Sequence, residues 1–166
     1  MSKLITCIWF AKNNGEEAAQ YYIDTFNGAP GDHTAKLGDV TKSPKASEEV
    51  SGRPAGSILT AELELDGISF MLLNGGPLDQ FKLNGGTSFI IECETQEEID
   101  YFWGKLSAVP EAEQCGWCTD KYGVTWQVTP RILDEMMRDP NKAEAVAAVF
   151  MPMKKLDLEA IRNAGK

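Results

Sequence analysis

Histidine is nearly missing from this chain: His33 stands alone among 166 residues. A site built on several imidazoles is therefore excluded. A block of basic residues is also missing, and the formal net charge is −9. That excludes the electrostatic footprint expected for nucleic acid or an anionic membrane. There is no long apolar run, and Met1-Ser2-Lys3 leads directly into a strand-like segment, so neither a membrane span nor a signal peptide is expected. Cysteine is sparse: Cys7, Cys93, Cys115 and Cys118. Cys115 and Cys118 have CxxC spacing, but they sit in a strand-like hairpin, whereas a redox CxxC opens a helix. No second CxxC and no nearby histidine completes a zinc site. Cys7 and Cys93 lie inside apolar strand patterns and read as small hydrophobes. Four structural thiols in a reducing cytoplasm are the expectation.

What is present is enough apolar material for a core, 43% of residues, arranged in recognisable periods. The most informative stretch is Glu113 to Pro130, EQCGWCTDKYGVTWQVTP. It reads as two strands joined by the turn Asp120-Lys121-Tyr122-Gly123. Val124, Trp126 and Val128 fall on one face, with Thr125, Gln127 and Thr129 on the other. Pro130 stops the strand and can open a helix. Trp126, with Phe89, is expected to anchor a core.

In chain order, Lys3 to Phe10 is a β-rich run expected to be buried on both faces. Asn13 and Asn14 are cap candidates for a helix whose buried stripe is Ala18, Ala19, Tyr22, Ile23 and Phe26. A short edge strand is expected around His33 to Leu37. Ser57 to Leu65 alternates, with Leu59, Ala61, Leu63 and Leu65 facing a core. Asp66-Gly67 is a two-residue hairpin turn, and Ile68 to Leu73 returns. The order then repeats. Thr87 to Cys93 is a strand, and Thr95 with Glu98 makes a capping box before a helix striped by Ile99, Phe102, Trp103 and Leu106. A short strand near Glu111 to Gln114 leads to the hairpin. The element order predicts an α+β fold of two βαβββ modules, residues 3–73 and 87–129, with a helical tail over 130–163, all in a single domain 1–166. Tail stripes include Ile132, Leu133, Met136 and Met137, then Val146 and Phe150, then Leu156, Leu158 and Ile161. The methionines Met136, Met137, Met151 and Met153 outnumber what so short a module can bury, which predicts a homodimer.

With both modules placed, the chain resembles the vicinal oxygen chelate superfamily of glyoxalases, bleomycin-resistance proteins and extradiol dioxygenases, in its PhnB-like branch. The residues carrying the resemblance are ITCIWF with EEAAQYY, ELELDGISFMLLNGGP, SFIIECETQEEID and CGWCTDKYGVTWQVTP, together with the DPNKAEAVAAVFMPMKKLDLEAI tail. Proteins of this branch often carry the name 3-demethylubiquinone-9 3-methyltransferase. The resemblance implies strands curled around a cleft, often in a homodimer. It places the family's metal positions on Thr6, Met71, Ser88 and Gln127, of which Gln127 alone is a candidate ligand and a weak one, so no metal and no cofactor are expected. The glycine pairs give no methyltransferase signature either. Asn74-Gly75-Gly76 runs into Pro77 and Gly85-Gly86 precedes a strand, so both read as turns.

Strand parity assigns to the cleft Thr6, Ile8, Phe10, Thr60, Glu62, Glu64, Ser69, Met71, Leu73, Ser88, Ile90, Thr125 and Gln127, with Trp117 at its mouth. The expected function is metal-free binding of a small molecule. An enzyme on the same fold, using Glu62 and Gln127 as polar groups, is the alternative, and a structural module with a vestigial cleft is a third.

Overall fold

Asp66 and Gly67, at φ 45° and 79°, close a two-residue turn between the paired residues Leu65 and Ile68. Both central residues at positive φ is the turn geometry that matches the natural twist of a hairpin. The structure, a computed structural model, describes residues 4–48 and 52–166. The N-terminal residue of the first expected strand, Lys3, lies outside them. The chain is α+β, and its contacts divide it into a unit ending at Lys82 and a unit beginning at Leu83.

In the first unit, β1 (Thr6–Trp9) is followed by α1 (Gly15–Asn27), β2 (Ala35–Lys42), β3 (Ile58–Leu65) and β4 (Ile68–Leu73). The sheet order is β1-β4-β3-β2, with β1 parallel to β4 and the other pairs antiparallel. The helix lies on one face. Ala18, Ala19, Tyr22 and Phe26 are buried there, as are Ala61, Leu63, Leu65, Phe70 and Leu72. The alternation in β3 thus sorts apolar residues toward α1, as its sequence period requires. β2 is longer than its sequence signal. It carries a bulge between Leu37 and Val40, where Gly38 lets the backbone approach the Glu62 side chain: a Cβ there would lie 3.0 Å from the Cβ of Glu62.

In the second unit, β5 (Phe89–Cys93) is followed by α2 (Gln96–Leu106), β6 (Trp117–Thr119) and β7 (Thr125–Pro130), and the three strands form a sheet of order β5-β7-β6. The strand expected near Glu111 to Gln114 is a correction. Residues Pro110–Ala112 form a short 3-10 helix, and Gln114 makes only an isolated bridge to Trp117. Pro110 has no N–H to give a ladder, and the outer edge of β6 is met instead by the Ala108 N–H, which donates to the Thr119 carbonyl at 2.9 Å, and by the Gln114–Trp117 bridge. α2 covers the face bearing Trp126, Val128 and Ile91, with Ile99, Phe102 and Leu106 fully buried between. The predicted cap forms: Thr95 Oγ1 accepts from the Glu98 N–H at 3.2 Å. The Glu98 carboxylate reaches one residue further back than a capping box, accepting from the Glu94 N–H at 2.6 Å.

Three short helices complete this unit: α3 (Ile132–Arg138), α4 (Ala143–Phe150) and α5 (Leu158–Ala164). Pro130 ends β7 rather than opening α3, which starts after Arg131. Leu133, Met136, Val146, Leu156 and Ile161 form a core of their own. This divides the methionine stripe. Met136 is 7% exposed and Met153 packs against the same core, while Met137 and Met151 remain 37% and 59% exposed. No helix among the described residues is long and apolar enough to cross a membrane.

Candidate functional site

Each sheet has one face under its helix and one face without a helix. On the helix-free face of the first sheet, register places Met71 between Cys7 of β1 and Glu62 of β3, and Leu73 between Trp9 and Thr60. Glu64 pairs with Ser69 in the same row direction. Thr60, Glu62, Glu64, Ser69, Met71 and Leu73 therefore fall on one face, as strand parity predicts. β1 does not. Thr6 pairs with Phe70 and Ile8 with Leu72, so both share the helix side of the sheet, where Ile8 and Phe10 are 6% and 2% exposed. The expected cleft positions Thr6, Ile8 and Phe10 are thus corrected by one residue, to Cys7 and Trp9. The run Cys7-Ile8-Trp9-Phe10 has no polar alternate to fix its parity, and a one-residue slip exchanges the two faces. Nor is β1 buried on both sides, because Thr6 and Cys7 are exposed.

Trp9 is held on that face by the segment after β4. Its Nε1–H donates to the Gly76 carbonyl at 2.9 Å, and Phe81 stacks on it with ring centroids 4.5 Å apart. A Cβ on Gly75 would lie 2.1 Å from the indole ring, so only glycine lets the backbone pass there. The Gly75-Gly76 pair is committed to an indole, not to a phosphate.

On the helix-free face of the second sheet, Ile90 pairs with Gln127, and Gln127 with Trp117. The Gln127 Nε2–H donates to Ser88 Oγ at 2.9 Å, which fixes the amide. Ile90 beside it is 60% exposed, and Trp117 is half-buried. Thr125, on the same strand face, is 6% exposed. Ser88, Ile90, Trp117, Thr125 and Gln127 thus share the face that their parity predicts.

The turn that supplies this hairpin is organised by Asp120, a role its turn position alone does not reveal. Asp120 is 1% exposed. Its Oδ1 accepts from the Tyr122 and Val124 N–H groups at 2.9 and 3.0 Å, and its Oδ2 accepts from the Trp126 Nε1–H at 2.8 Å. The ring of Trp126 also meets Phe89, centroids 5.5 Å apart. Trp126 is 2% exposed, whereas Phe89 is only half-buried.

Asn74 is a second residue whose part is not visible locally. It is 3% exposed, its Oδ1 accepts from the Gly15 N–H at 2.8 Å, and its Nδ2–H donates to the Ile58 carbonyl at 3.1 Å. It thereby caps α1 from 59 residues away, while Asn14 makes no side-chain cap bond. His33, the lone histidine, lies off both helix-free faces. Its Nδ1 is 2.7 Å from Asp66 Oδ2 beside the hairpin turn.

The donors on the two faces are mixed in type and contain no imidazole. The first offers the Cys7 thiol, the Met71 thioether and the Glu62 and Glu64 carboxylates, the latter paired with Lys36 at 2.8 Å; the second offers the Ser88 hydroxyl, the Gln127 amide and the Glu92 carboxylate. Among the described residues, no group of three or more His, Cys, Asp or Glu side chains is placed to hold a metal.

All four cysteines are held toward the neutral thiol. Burial pushes the Cys118 thiol up to about 12, with Asp120 and Glu113 adding to it, and burial with Glu98 pushes Cys93 up to about 12. Burial also raises Cys7 and Cys115. Cys115 stands at φ 54° and Gly116 at φ 83°, a tight turn between Gln114 and Trp117 rather than a helix start. In a thiol-reagent titration at mildly alkaline pH, Cys93 and Cys118 should stay silent until the protein is unfolded. Four equivalents reacting together in the folded state would contradict this. Because both pKa values lie above the ordinary value of 9.0, the unfolded chain deprotonates first. The stability these neutral thiols contribute is complete below pH 9 and lost between pH 9 and about 12.

Known structures share this architecture. The PhnB protein from Bacillus cereus is 26% identical with a TM-score of 0.59, over 78% of this chain and 99% of that one. Protein PA1353 from Pseudomonas aeruginosa is 19% identical with a TM-score of 0.53, over 78% of this chain and 98% of that one, which shows the fold alone. No curated protein matches the chain. The family model described as 3-demethylubiquinone-9 3-methyltransferase matches residues 2–129, both strand–helix units without the tail. The chain therefore belongs to the 3-demethylubiquinone-9 3-methyltransferase family, among its PhnB-like members.

Proposed function

We propose that this chain is a small-molecule-binding protein that holds its ligand on the helix-free face of the second unit's sheet without a divalent metal. The observation that carries this reading is the Gln127 amide, fixed by Ser88 at 2.9 Å beside the 60% exposed Ile90 and the indole of Trp117. An apolar surface with one oriented polar group is the usual make-up of a small-ligand site. On neither face are three or more His, Cys, Asp or Glu side chains placed together among the described residues, which favours direct contacts to an organic ligand over chelation. In the first unit, Cys7, Trp9, Thr60, Glu62, Met71 and Leu73 offer the same mixture.

Methyl transfer, the activity in the family description, gains no support from the chain's glycines. The Gly75-Gly76 pair, read above as a turn, is taken up by Trp9. Catalysis by Glu62 with Gln127 rests on their positions alone. Of the methionines that predicted a homodimer, Met137 and Met151 keep exposed surface, so that expectation now rests on two side chains.

Native mass spectrometry of protein purified without chelators tests the reading. An organic adduct should be retained under native conditions and lost on denaturation. Ile90→Lys, at an exposed position, should abolish the adduct without changing the melting temperature. One equivalent of zinc, nickel or iron per chain in elemental analysis, or an adduct indifferent to Ile90→Lys, would overturn it.

A further inference from the structure

The tetrapeptide Leu-Asn-Gly-Gly occurs twice in the chain, as Leu73-Asn74-Gly75-Gly76 and as Leu83-Asn84-Gly85-Gly86. Asn14-Gly15 and Asn27-Gly28 are two further Asn-Gly pairs. An asparagine can react with the backbone of the residue that follows it. The nitrogen of that residue attacks the side-chain carbonyl carbon, Cγ. A Cγ–N bond forms, the Cγ–Nδ2 bond breaks, and Nδ2 leaves as ammonia carrying the proton that the backbone nitrogen gives up. The five-membered succinimide then takes up one water at either of its two carbonyls. Opening on one side gives aspartate. Opening on the other routes the main chain through Cγ and gives isoaspartate. Glycine in the second position favours the attack, because no Cβ shields its nitrogen and its backbone reaches the ring-closing dihedrals freely. The two identical tetrapeptides share this local chemistry, so a difference between them has to come from the fold.

The fold treats the four pairs differently. Asn74 is 3% exposed, its Oδ1 and Nδ2 are bonded to the Gly15 N–H and the Ile58 carbonyl, and the Trp9 ring lies against Gly75. The same bond to Asn74 occupies the Gly15 nitrogen, which is the attacking group of the Asn14 pair. At Asn27 both ends of the amide are bonded to the Ala35 backbone, at 2.9 and 2.8 Å, and the Gly28 N–H donates to the Asp24 carbonyl at 3.1 Å. Asn84, Gly85 and Gly86, in contrast, are all exposed. The Gly85 N–H donates to no atom among the described residues, and a Cβ on Gly85 would meet nothing within 4 Å, so ring closure has room. The Gly86 N–H donates to Asn84 Oδ1 at 2.8 Å. That bond draws electron density from Cγ and stabilises the oxyanion that develops on Oδ1 during the attack. We propose that Asn84 is a site of spontaneous deamidation in the folded protein, converted through a succinimide with Gly85 to aspartate and isoaspartate, while the fold protects Asn14, Asn27 and Asn74. The product carries one more negative charge, in the segment that leads into β5.

The test is peptide mapping by mass spectrometry of the full chain, kept folded at mildly alkaline pH and sampled over days against a zero-time digest. Cleavage after Lys82 places the two tetrapeptides on different peptides. The expected result is a gain of one dalton on the Asn84 peptide, with both isomers present, and no change at the other three pairs. In guanidinium chloride, Asn74 and Asn84 should react at similar rates. Gly85→Ala, in open space, should melt like the parent and lose most of the reaction at Asn84. An unchanged Asn84 in the folded protein overturns the proposal, as does reaction at Asn74 at the same rate in the folded protein. A difference between the two that persists in guanidinium chloride would place the cause outside the fold and overturns it too. Aspartate without isoaspartate would exclude the succinimide.

Discussion

Asp120→Ala is expected to destabilise the protein by about 3 kcal/mol and to lower its Tm by roughly 6–12 °C. The carboxylate is 1% exposed and accepts from three N–H groups, two on the backbone of its own turn and one on the indole of Trp126. Removing it leaves those donors facing an apolar pocket. Leaving each buried donor unsatisfied costs about 1–3 kcal/mol, and the three do not add in full because the turn can relax toward water. The effect should spread to Trp126, whose ring position depends on the Nε1–H bond. Trp126→Phe gives the complementary measurement, since it deletes that donor and keeps most of the ring. The double variant Asp120→Ala/Trp126→Phe should cost less than the sum of the singles, because the shared bond is lost once. Additive losses would show that Asp120 supports the turn alone. An Asp120→Ala protein with an unchanged Tm would mean that the carboxylate is not the organising group of this hairpin.

Leu156→Ala should have a similar effect, about 3 kcal/mol, within the range for a fully buried leucine. Leu156 is 0% exposed although it lies in an irregular segment between α4 and α5. It sits in the tail core with Leu133, Met136, Val146 and Ile161. It also lies against the Cys115-Gly116 turn, where a Cβ on Gly116 would be 3.1 Å from Leu156 Cδ1. The backbone is fastened at the same place, with the Cys115 and Gly116 N–H groups donating to the Met153 and Lys154 carbonyls at 2.6 and 2.8 Å. Gln96 at the start of α2 holds the next residues, donating to the Leu156 carbonyl at 3.2 Å and accepting from the Leu158 N–H at 2.8 Å. The family match ends at residue 129, so this variant also tests whether the segment beyond it is structurally integral. Met151→Ala, at a 59% exposed site, is the control and should leave Tm unchanged. A Leu156→Ala protein that melts with the control would show the tail to be an appendage.

The sequence by itself determined the elements that rest on local chemistry. The Asp66-Gly67 turn was legible because few residues accept two consecutive positive φ values. The faces of β3 and β7 were legible because apolar and polar residues alternate in them, and the two-residue turn carries the parity of β3 into β4. The Thr95 cap was legible because its partner lies three residues away. From these follow the α+β class, the order of the two units and the family.

Only the tertiary structure decided what depends on pairing. β1 is apolar at nearly every position, so its parity was fixed by parallel register with β4, and Cys7 and Trp9 replaced Thr6, Ile8 and Phe10 on the helix-free face. Asn74 became the cap of α1, and Gly75 the floor under Trp9, through contacts between residues far apart in the chain. Asp120 became a buried acceptor because the strand it precedes returns Trp126 to it. Met136 and Met153 entered a core that no single tail helix could form. A residue's own neighbours in sequence set its dihedral preferences and its period. Which polar atom it meets across the fold is set by chain closure, and that information is not carried by any one segment.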